Sequence, residues 1–286
     1  MAQDAYTLPE IWTWEKPDGE HMFSSLNRPV SGATRETNLP RGEHPLQLYS
    51  MGTPNGQKVT VLLEELLAAG HTGAEYDAWL IDILKGDQFG SGFVSVNPNS
   101  KIPGLIDTSV DSDVRVFESG AILLYLAEKF GAFIPGERMA RGECYSWLMW
   151  QMSTAPILGG GFGHFFKIAP DKIKYAIDRF AMEAKRIFDV ADKRLGETQF
   201  LAGSEYSIAD MACFPWFHYF LSKNAYDGAA KFLSMSEYEN LARWEKEVLS
   251  REPVRRGLVV NLPGDEYATE RHSAADIDAV LDRNAG

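Results

Sequence analysis

The stretch that decides the fold is residues 46–67, LQLYSMGTPNGQKVTVLLEELL. Its first six residues, LQLYSM, predict a short β-strand. After Gly56 the apolar residues recur with the i, i+3, i+4, i+7 and i+8 spacing of one helix face, at Val59, Leu62, Leu63, Leu66 and Leu67. We therefore predict an amphipathic helix that ends at Gly70. Residues 53–56, TPNG, lie where the strand gives way to the helix.

More strands follow along the chain. Residues 75–81 predict a strand that runs parallel to the first, because a helix connects the two. Residues 104–108 and 114–117 predict an antiparallel hairpin, and an apolar helix follows over 121–130. The order β-α-β, irregular, β-β-α predicts an α/β domain over residues 45–132.

The rest of the chain has a different pattern. From about residue 138 to 251 the apolar period is helical, which predicts an all-helical domain over 138–255. In this part Ser207 and Asp210 have the spacing of a helix N-cap and its acidic partner. Residues 1–44 are predicted to form an irregular N-terminal extension, and residues 256–286 a polar C-terminal tail that is either loose or ordered by a partner.

Composition narrows the class of protein. The chain has 286 residues and a formal charge of −12, so nucleic acid and anionic membrane surfaces are poor partners. Its two cysteines, Cys144 and Cys213, form no CxxC pair and no zinc-ligand spacing. Such cysteine use, with no signal peptide or membrane-spanning run in the sequence, favours a reducing, cytoplasmic compartment. We expect no bound metal.

Three local features could bind a ligand. The residues Thr53-Pro54-Asn55 begin a helix, where free N–H groups favour an anion such as a thiolate. The bond between Ile102 and Pro103 could be cis and leave the Ile102 backbone free to pair with a peptide-like ligand. Glu118-Ser119 begins another helix and could hold the two charges of an α-amino acid. Each feature taken alone is also typical of an ordinary cap or turn.

Together and in this order, the three features resemble the thioredoxin-like domain of cytosolic glutathione transferases. In that family the proline is cis, and an acid-serine pair holds the γ-glutamyl end of glutathione. The segment 207–210, SIAD, resembles the N-capping box of the family's helical domain. The run 52–59, GTPNGQKV, is similar to the bacterial Nu class, and the segment 27–32, NRPVSG, to its N-terminally extended members. Nu-class proteins act as glutathione-dependent disulfide-bond oxidoreductases and are expected to be homodimers.

The resemblance implies a role for particular residues. Thr53 and Asn55 would lie at the glutathione sulfur and carry the catalysis. The other residues expected to bind the first glutathione are Pro54, Gln88, Lys101, Ile102, Pro103, Glu118, Ser119 and Gly120. A second glutathione in the same subunit would be reached by Asn27, Gln151 and Arg179.

Several features have competing interpretations. Many relatives in the wider superfamily activate glutathione with a tyrosine or serine near the end of the first strand, so Tyr49 and Ser50 stay as alternatives to Thr53. We favour a packing role for Tyr49. The glycine-rich run 159–163 lacks the strand and lysine of a phosphate loop, and Phe165 or Phe166 beside it could wall a substrate site.

The mechanism that follows uses no protein thiol. One bound glutathione thiolate would attack a disulfide substrate, and a second glutathione would resolve the mixed disulfide. The same thiolate could also support weak transferase or peroxidase activity. The alternative from another class is a non-catalytic binding or regulatory module, a role for which some proteins keep this fold.

Overall fold

The computed structural model describes residues 6–15 and 28–285. Its sheet has four strands, β1 (Leu46–Ser50), β2 (Tyr76–Leu80), β3 (Gly104–Asp107) and β4 (Val114–Phe117), in the order β2-β1-β3-β4. Strand β1 pairs in parallel with β2 and antiparallel with β3, and β3 and β4 form the predicted hairpin. The central strand β1 is buried along its whole length.

Both faces of the sheet are covered. Helices α1 (Pro54–Ala68) and α3 (Ser119–Phe130) belong to the face where Leu46 and Leu48 join the main hydrophobic core. The short helix α2 (Ser91–Val96) belongs to the other face, where Tyr49 packs with Phe93 and Ile106. Alternation along β1 explains this division, because successive side chains of a strand point to opposite faces. The arrangement is the expected thioredoxin-like α/β domain.

The second half of the described chain is helical, as predicted. Its helices are α4 (Arg138–Pro156), a π-helical segment (Ile157–Ile168), α5 (Lys174–Glu197), α6 (Ile208–Leu221), α7 (Ala229–Phe232), α8 (Glu239–Leu249), α9 (Glu252–Leu258) and α10 (Ala274–Ala285). Helix α6 begins with the predicted capping box, in which Ser207 accepts from the Ala209 N–H and the Asp210 carboxylate accepts from the Ser207 N–H. Helix α6 is buried along most of its length and packs against both α1 and α4, so it joins the two halves.

The C-terminal tail was predicted to be loose or ordered by a partner, but it is ordered by contacts with its own chain. Arg271, fully buried, exchanges two backbone hydrogen bonds with Ala78, at 2.7 and 3.1 Å, and so covers the edge of β2. Its guanidinium lies 2.6 Å from a Glu75 carboxylate oxygen and 3.4 Å from one of Glu64. Helix α10 follows and buries Ile277. These contacts protect an edge strand that would otherwise present unpaired backbone groups.

Among the described residues, no helix is both long and apolar enough to cross a bilayer.

Candidate functional site

A cavity of about 720 Å³ lies between the α/β half and the helical half. Its α/β side is formed by the start of α1 and by two loops, through Thr53, Pro54, Asn55, Ile83, Gln88, Phe89, Asn99, Ser100, Lys101 and Ile102. The N-terminal arm adds Arg28, Pro29, Val30 and Ser31, and the helical half adds Gly159, Ile168, Trp216, Tyr219 and Tyr226. The cavity therefore collects residues from three separate parts of the chain.

The start of α1 forms the polar floor of this cavity. Thr53 is the N-cap residue, with extended backbone, and Pro54 occupies the first turn. Within the described chain, the Thr53 side chain caps no N–H of the helix, so its hydroxyl is available to a ligand. The turn is tight, because a Cβ at Gly56 would lie 2.0 Å from the Met51 carbonyl oxygen. A free hydroxyl and the positive end of a helix dipole thus meet at one point.

The side chain of Asn55 accepts hydrogen bonds from two residues. Its Oδ1 accepts from Lys58 Nζ at 2.8 Å and from Trp216 Nε1 at 2.9 Å. Lys58 also donates to Gln151 Oε1 at 2.6 Å and to Ser119 Oγ at 3.4 Å. Lys58 is fully buried, and desolvation lowers its pKa to about 7. The sequence reasoning assigned no role to this lysine or to Trp216.

The predicted acid-serine pair lies at the start of α3. Glu118 has the unusual backbone angles φ 70° and ψ 124°, a conformation that non-glycine residues adopt at a cost. Ser119 is buried beside Lys58, and a Cβ at Gly120 would lie 2.7 Å from the Met152 sulfur. These three residues lie outside the cavity lining, and Ser119 is linked to Asn55 in the lining because both accept hydrogen bonds from Lys58.

Three more of the predicted glutathione contacts, Gln88, Lys101 and Ile102, line the cavity. The Ile102–Pro103 peptide bond is cis, as predicted, and Pro103 is buried behind it. Gln88 is 5% exposed and donates to the Ile83 carbonyl. In the described chain its Oε1 is buried without a hydrogen-bond partner.

Two of the three residues predicted to reach a second glutathione do not line the cavity. Asn27 lies outside the described residues. Gln151 is 1% exposed and holds Lys58, and Arg179 is exposed and pairs with Glu183 at 2.8 Å, so neither lines the cavity. Sequence reasoning missed Arg28, which does line it and stacks over the Phe89 ring at 4.4 Å. Its position next to Asn27 was the available signal.

The charge of the lining is one-sided. Among the described lining residues, Arg28 and Lys101 are charged, and none is acidic. The chain as a whole has a net charge of −12, so the positive lining of the cavity is opposite in sign to the net charge of the protein. Such a cavity favours an anionic ligand, and cations in a concave site raise the local concentration of anions.

The alternative hydroxyls do not reach the cavity. Tyr49 is fully buried, and its hydroxyl donates to the Pro40 carbonyl at 2.7 Å. Burial raises the pKa of Tyr49 to about 12. Ser50 is also fully buried and donates to the Met51 carbonyl at 3.4 Å. The packing role expected for Tyr49 is therefore confirmed.

The protein thiols are equally remote. Cys144 and Cys213 are unpaired and fully buried, outside the cavity lining. Burial raises the pKa of both thiols, that of Cys213 well above its ordinary value. At neutral pH both thiols therefore ionise to the reactive thiolate less than an ordinary cysteine does. Within residues 6–15 and 28–285, no group of His, Cys, Asp and Glu side chains could hold a metal ion.

The apolar wall of the cavity differs from the predicted one. Phe165 stacks on Phe180, and Phe166 on Phe162, so neither phenylalanine lines the cavity. The aromatic wall comes instead from helix α6 and the loop that follows, through Trp216, Tyr219 and Tyr226. The glycine-rich segment permits this, because a Cβ at Gly159 would lie 2.7 Å from the Trp216 ring.

A thioredoxin-like domain, a helical domain and a cavity with basic lining residues at their junction define a glutathione transferase-like architecture. Models of the glutathione S-transferase N-terminal and C-terminal domains match residues 44–128 and 174–247. The chain belongs to the glutathione S-transferase family.

Individual relatives narrow the comparison. The chain is 57% identical over 281 residues to the disulfide-bond oxidoreductase YghU of Escherichia coli (strain K12), covering 97% of each protein. It is 54% identical to the crystal structure of the glutathione transferase YghU from Streptococcus pneumoniae, complexed with glutathione, with a TM-score of 0.87. That match covers 89% of this chain and 97% of the other.

A more distant structure carries two ligands. It is a glutathione transferase family member from Pseudomonas fluorescens with two glutathione bound. The match has 37% identity and a TM-score of 0.68, and covers 74% of this chain and 92% of that one.

Proposed function

We propose that this protein is a glutathione-dependent disulfide reductase whose thiols both come from glutathione. The observation that carries the proposal is the Thr53 hydroxyl, which caps no helix N–H in the described chain and lies at the positive end of α1, in a cavity with basic and no acidic lining residues among those described. The buried, high-pKa cysteines support a mechanism without a protein nucleophile. The relative with 57% identity is named a disulfide-bond oxidoreductase, and the structure with 54% identity is complexed with glutathione.

In the proposed reaction the first glutathione binds as a thiolate at Thr53 and Asn55. It attacks one sulfur of a disulfide R–S–S–R, so that a glutathione–SR mixed disulfide forms and RS⁻ leaves with the electron pair. The thiolate of a second glutathione then attacks the glutathione sulfur of the mixed disulfide. Glutathione disulfide forms, and the second RS⁻ leaves and takes up a proton. The protein supplies position and electrostatic stabilisation.

The rest of the first glutathione would extend from the sulfur in two directions. Lys101 would pair with the glycyl carboxylate, and the backbone of Ile102 would pair with the cysteinyl residue. Glu118 and Ser119, at the start of α3, would hold the γ-glutamyl ammonium and carboxylate. Gln88 is a further proposed contact. Its Oε1 is buried without a hydrogen-bond partner in the described chain, so it could accept a hydrogen bond from glutathione.

A second glutathione is proposed beside Arg28 at the arm side of the cavity. Arg28 supplies a cation there, and the relative from Pseudomonas fluorescens was solved with two glutathione bound. A ligand contact from Asn27 stays a prediction. We assign Gln151 to the support of Lys58 instead, since its carbonyl oxygen is 2.6 Å from Lys58 Nζ.

We also propose assignment to the Nu class, a homodimeric state and a cytoplasmic location. The run 52–59, GTPNGQKV, supports the class. Exposed apolar side chains on α4 and α5, among them Met139 at 79% and Tyr175 at 80% exposure, support an interface with a second copy. The two unpaired cysteines are consistent with a reducing compartment.

The first test is glutathione binding followed by turnover. Glutathione at 100 times its Kd should stabilise the folded protein by about 2.7 kcal/mol, seen as a thermal shift. With glutathione and bis(2-hydroxyethyl) disulfide, the protein should produce glutathione disulfide, measured by NADPH consumption with added glutathione reductase. Binding without turnover of any disulfide would favour the binding module, and turnover only of an electrophile would favour conjugation. No thermal shift at millimolar glutathione would refute the proposal.

Variants at the remote end of glutathione sharpen this test. Glu118→Ala and Ser119→Ala should each weaken glutathione binding, since each removes a charge-assisted contact worth about 1.5–3 kcal/mol. The rate at saturating glutathione should change much less, because these residues lie away from the sulfur. Unchanged affinity in both variants would mean that the γ-glutamyl end binds elsewhere.

A further inference from the structure

Lys58 is a buried cation with an unusual set of partners. Its hydrogen-bond partners in the described chain are the neutral oxygens of Asn55, Ser119 and Gln151. By contrast, buried Arg271 lies against two carboxylates. Burial of an ammonium without a bonded carboxylate is costly, so a protein that needed only to pack α1 would be more stable with an apolar residue here.

The bonds to Asn55 fix the orientation of its amide. Two donors, Lys58 Nζ and Trp216 Nε1, converge on Asn55 Oδ1 at 2.8 and 2.9 Å. A flipped amide would aim its own N–H groups at these two donors, so the observed orientation is the one the network permits. The Asn55 Nδ2 atom is then turned away from the network, and Asn55 lines the cavity. Its two N–H groups remain available to a ligand there.

We propose that Lys58 is a positioning residue for the glutathione site. Together with the Trp216 indole N–H, it holds the Asn55 oxygen so that the amide N–H groups face a bound sulfur. The bond to Ser119 Oγ ties the same ammonium to the γ-glutamyl end of the site. This inference rests on the proposed function, because it assigns a role relative to bound glutathione.

The charge of Lys58 and its hydrogen bond to Asn55 both favour a bound thiolate. A positive charge beside the Asn55 amide favours a thiolate over a thiol. Burial lowers the Lys58 pKa to about 7, and the titratable groups that act on it are the Cys213 thiol of α6 and the Glu118 carboxyl before α3. A thiolate bound nearby would raise the Lys58 pKa again. Bound thiolate and ammonium therefore stabilise each other, and loss of the lysine should raise the pKa of the bound thiol.

The test is the ionisation of glutathione bound to Lys58→Met. Thiolate absorbance near 240 nm, followed from pH 5 to 10, should place the pKa of bound glutathione at least about one unit higher than in the wild-type complex. The rate of disulfide reduction should fall about tenfold at pH 6–7 and much less at pH 9, where the thiol ionises unaided. The KM for the disulfide should stay within a factor of two. A variant with an unchanged thiol pKa and pH profile would overturn the proposal.

A second variant keeps the test decisive if Lys58→Met fails to fold. Trp216→Phe removes the other donor to Asn55 and leaves the lysine in place, so it should raise the bound thiol pKa by a smaller amount. Lys223→Met changes an exposed lysine and should leave both pKa and rate unchanged. If Trp216→Phe also has the wild-type thiol pKa, Asn55 orientation does not control the sulfur. Failure of the wild-type protein to bind glutathione would instead refute the proposed function itself.

Discussion

Replacing Lys58 with methionine should change how the free energy of unfolding depends on pH. In the folded protein burial lowers the Lys58 pKa to about 7, whereas an exposed lysine has a value of 10.5. Between these two pH values the unfolded chain carries a proton on Lys58 that the folded protein lacks. Unfolding therefore takes up a proton, and the wild-type free energy of unfolding rises with pH in this range. Below pH 7 both states are protonated, and the full cost of the buried ammonium is present.

The size of the effect follows from the same two values. Each pH unit within the window contributes up to about 1.4 kcal/mol. From pH 7 to 9.5 the wild-type protein should gain about 3 kcal/mol relative to Lys58→Met. The methionine variant also loses the hydrogen bonds to Asn55, Gln151 and Ser119, but those neutral partners add an offset that is nearly constant with pH. The slope, rather than the stability at any single pH, is the quantity that tests the buried charge.

Urea denaturation of the ligand-free protein at pH 6, 7, 8, 9 and 9.5 measures this slope. The difference in unfolding free energy, wild type minus Lys58→Met, should increase steadily across the series, and Lys223→Met should parallel the wild type. A difference that stays constant within about 0.5 kcal/mol would show that Lys58 keeps its proton throughout. This result would refute the lowered pKa without affecting the hydrogen-bond geometry, and glutathione plays no part in the measurement.

Three further predictions follow from the site and the tail. Thr53→Ala should lower disulfide reduction about tenfold near pH 6 and less near pH 9, whereas Tyr49→Phe should change it little because that hydroxyl is fully buried and bonded to backbone; the reverse pattern would assign catalysis to the tyrosine. The double variant Cys144→Ser and Cys213→Ser should retain reductase activity if it folds, and a folded but inactive variant would show that a protein thiol carries the exchange. Arg271→Met should lower the free energy of unfolding in urea by about 1–3 kcal/mol, since it removes the hydrogen bond to the Tyr76 carbonyl and the pairing with Glu75, whereas Glu64 keeps Arg256 as a partner; an unchanged free energy of unfolding would contradict this.

The elements that the sequence predicts well are those specified by local spacing. The apolar stripe of α1 and the Ser207–Asp210 cap each depend on residues within one or two turns of helix. The order of strands also follows from local signals, because a helical crossover requires a parallel pair and a short turn permits an antiparallel one. The start of α1 belongs to the same group. Thr53 could be placed at the cavity because the strand, the proline and the helix stripe together fix where the first turn begins.

The C-terminal segment could not be predicted in this way. Residues 259–273 have little periodic pattern, and their order depends on partners far away in the sequence. Asn261 accepts from the Gly52 N–H at 2.7 Å and donates to the Ala78 carbonyl at 3.2 Å, and Arg271 reaches Glu64 and Glu75. Polar residues of this kind look like a solvated tail until the partners are known. Such a segment is ordered by hydrogen bonds and ion pairs, and these contacts produce no periodic apolar pattern in the sequence.

The burial of Lys58 could not be predicted from the sequence for a related reason. A lysine in an amphipathic helix is ordinarily exposed, and residue 58 immediately precedes the apolar stripe. Its burial depends on Gln151 in α4 and on the packing of α6 against α1, neither of which has a local signal. The family resemblance assigns Gln151 to a second glutathione, and no local pattern distinguishes a glutamine that contacts a ligand from one that supports a buried lysine.

These cases show how the start of α1, the proposed position of the glutathione sulfur, is assembled. The donors themselves come from a few consecutive residues at the start of α1, whereas their orientation is set from a distance. Trp216 lies 161 positions from Asn55, and the backbone of Gly52, next to Thr53, is held by Asn261 in the C-terminal segment. A Cβ at Gly52 would lie 2.4 Å from the Leu262 side chain, so this segment packs directly against the turn that carries Thr53. In the proposed exchange both thiols come from glutathione, so the protein would accelerate it through the placement of donors and charge. Residues far from the sulfur that hold those donors should therefore matter to the rate as much as the donors do.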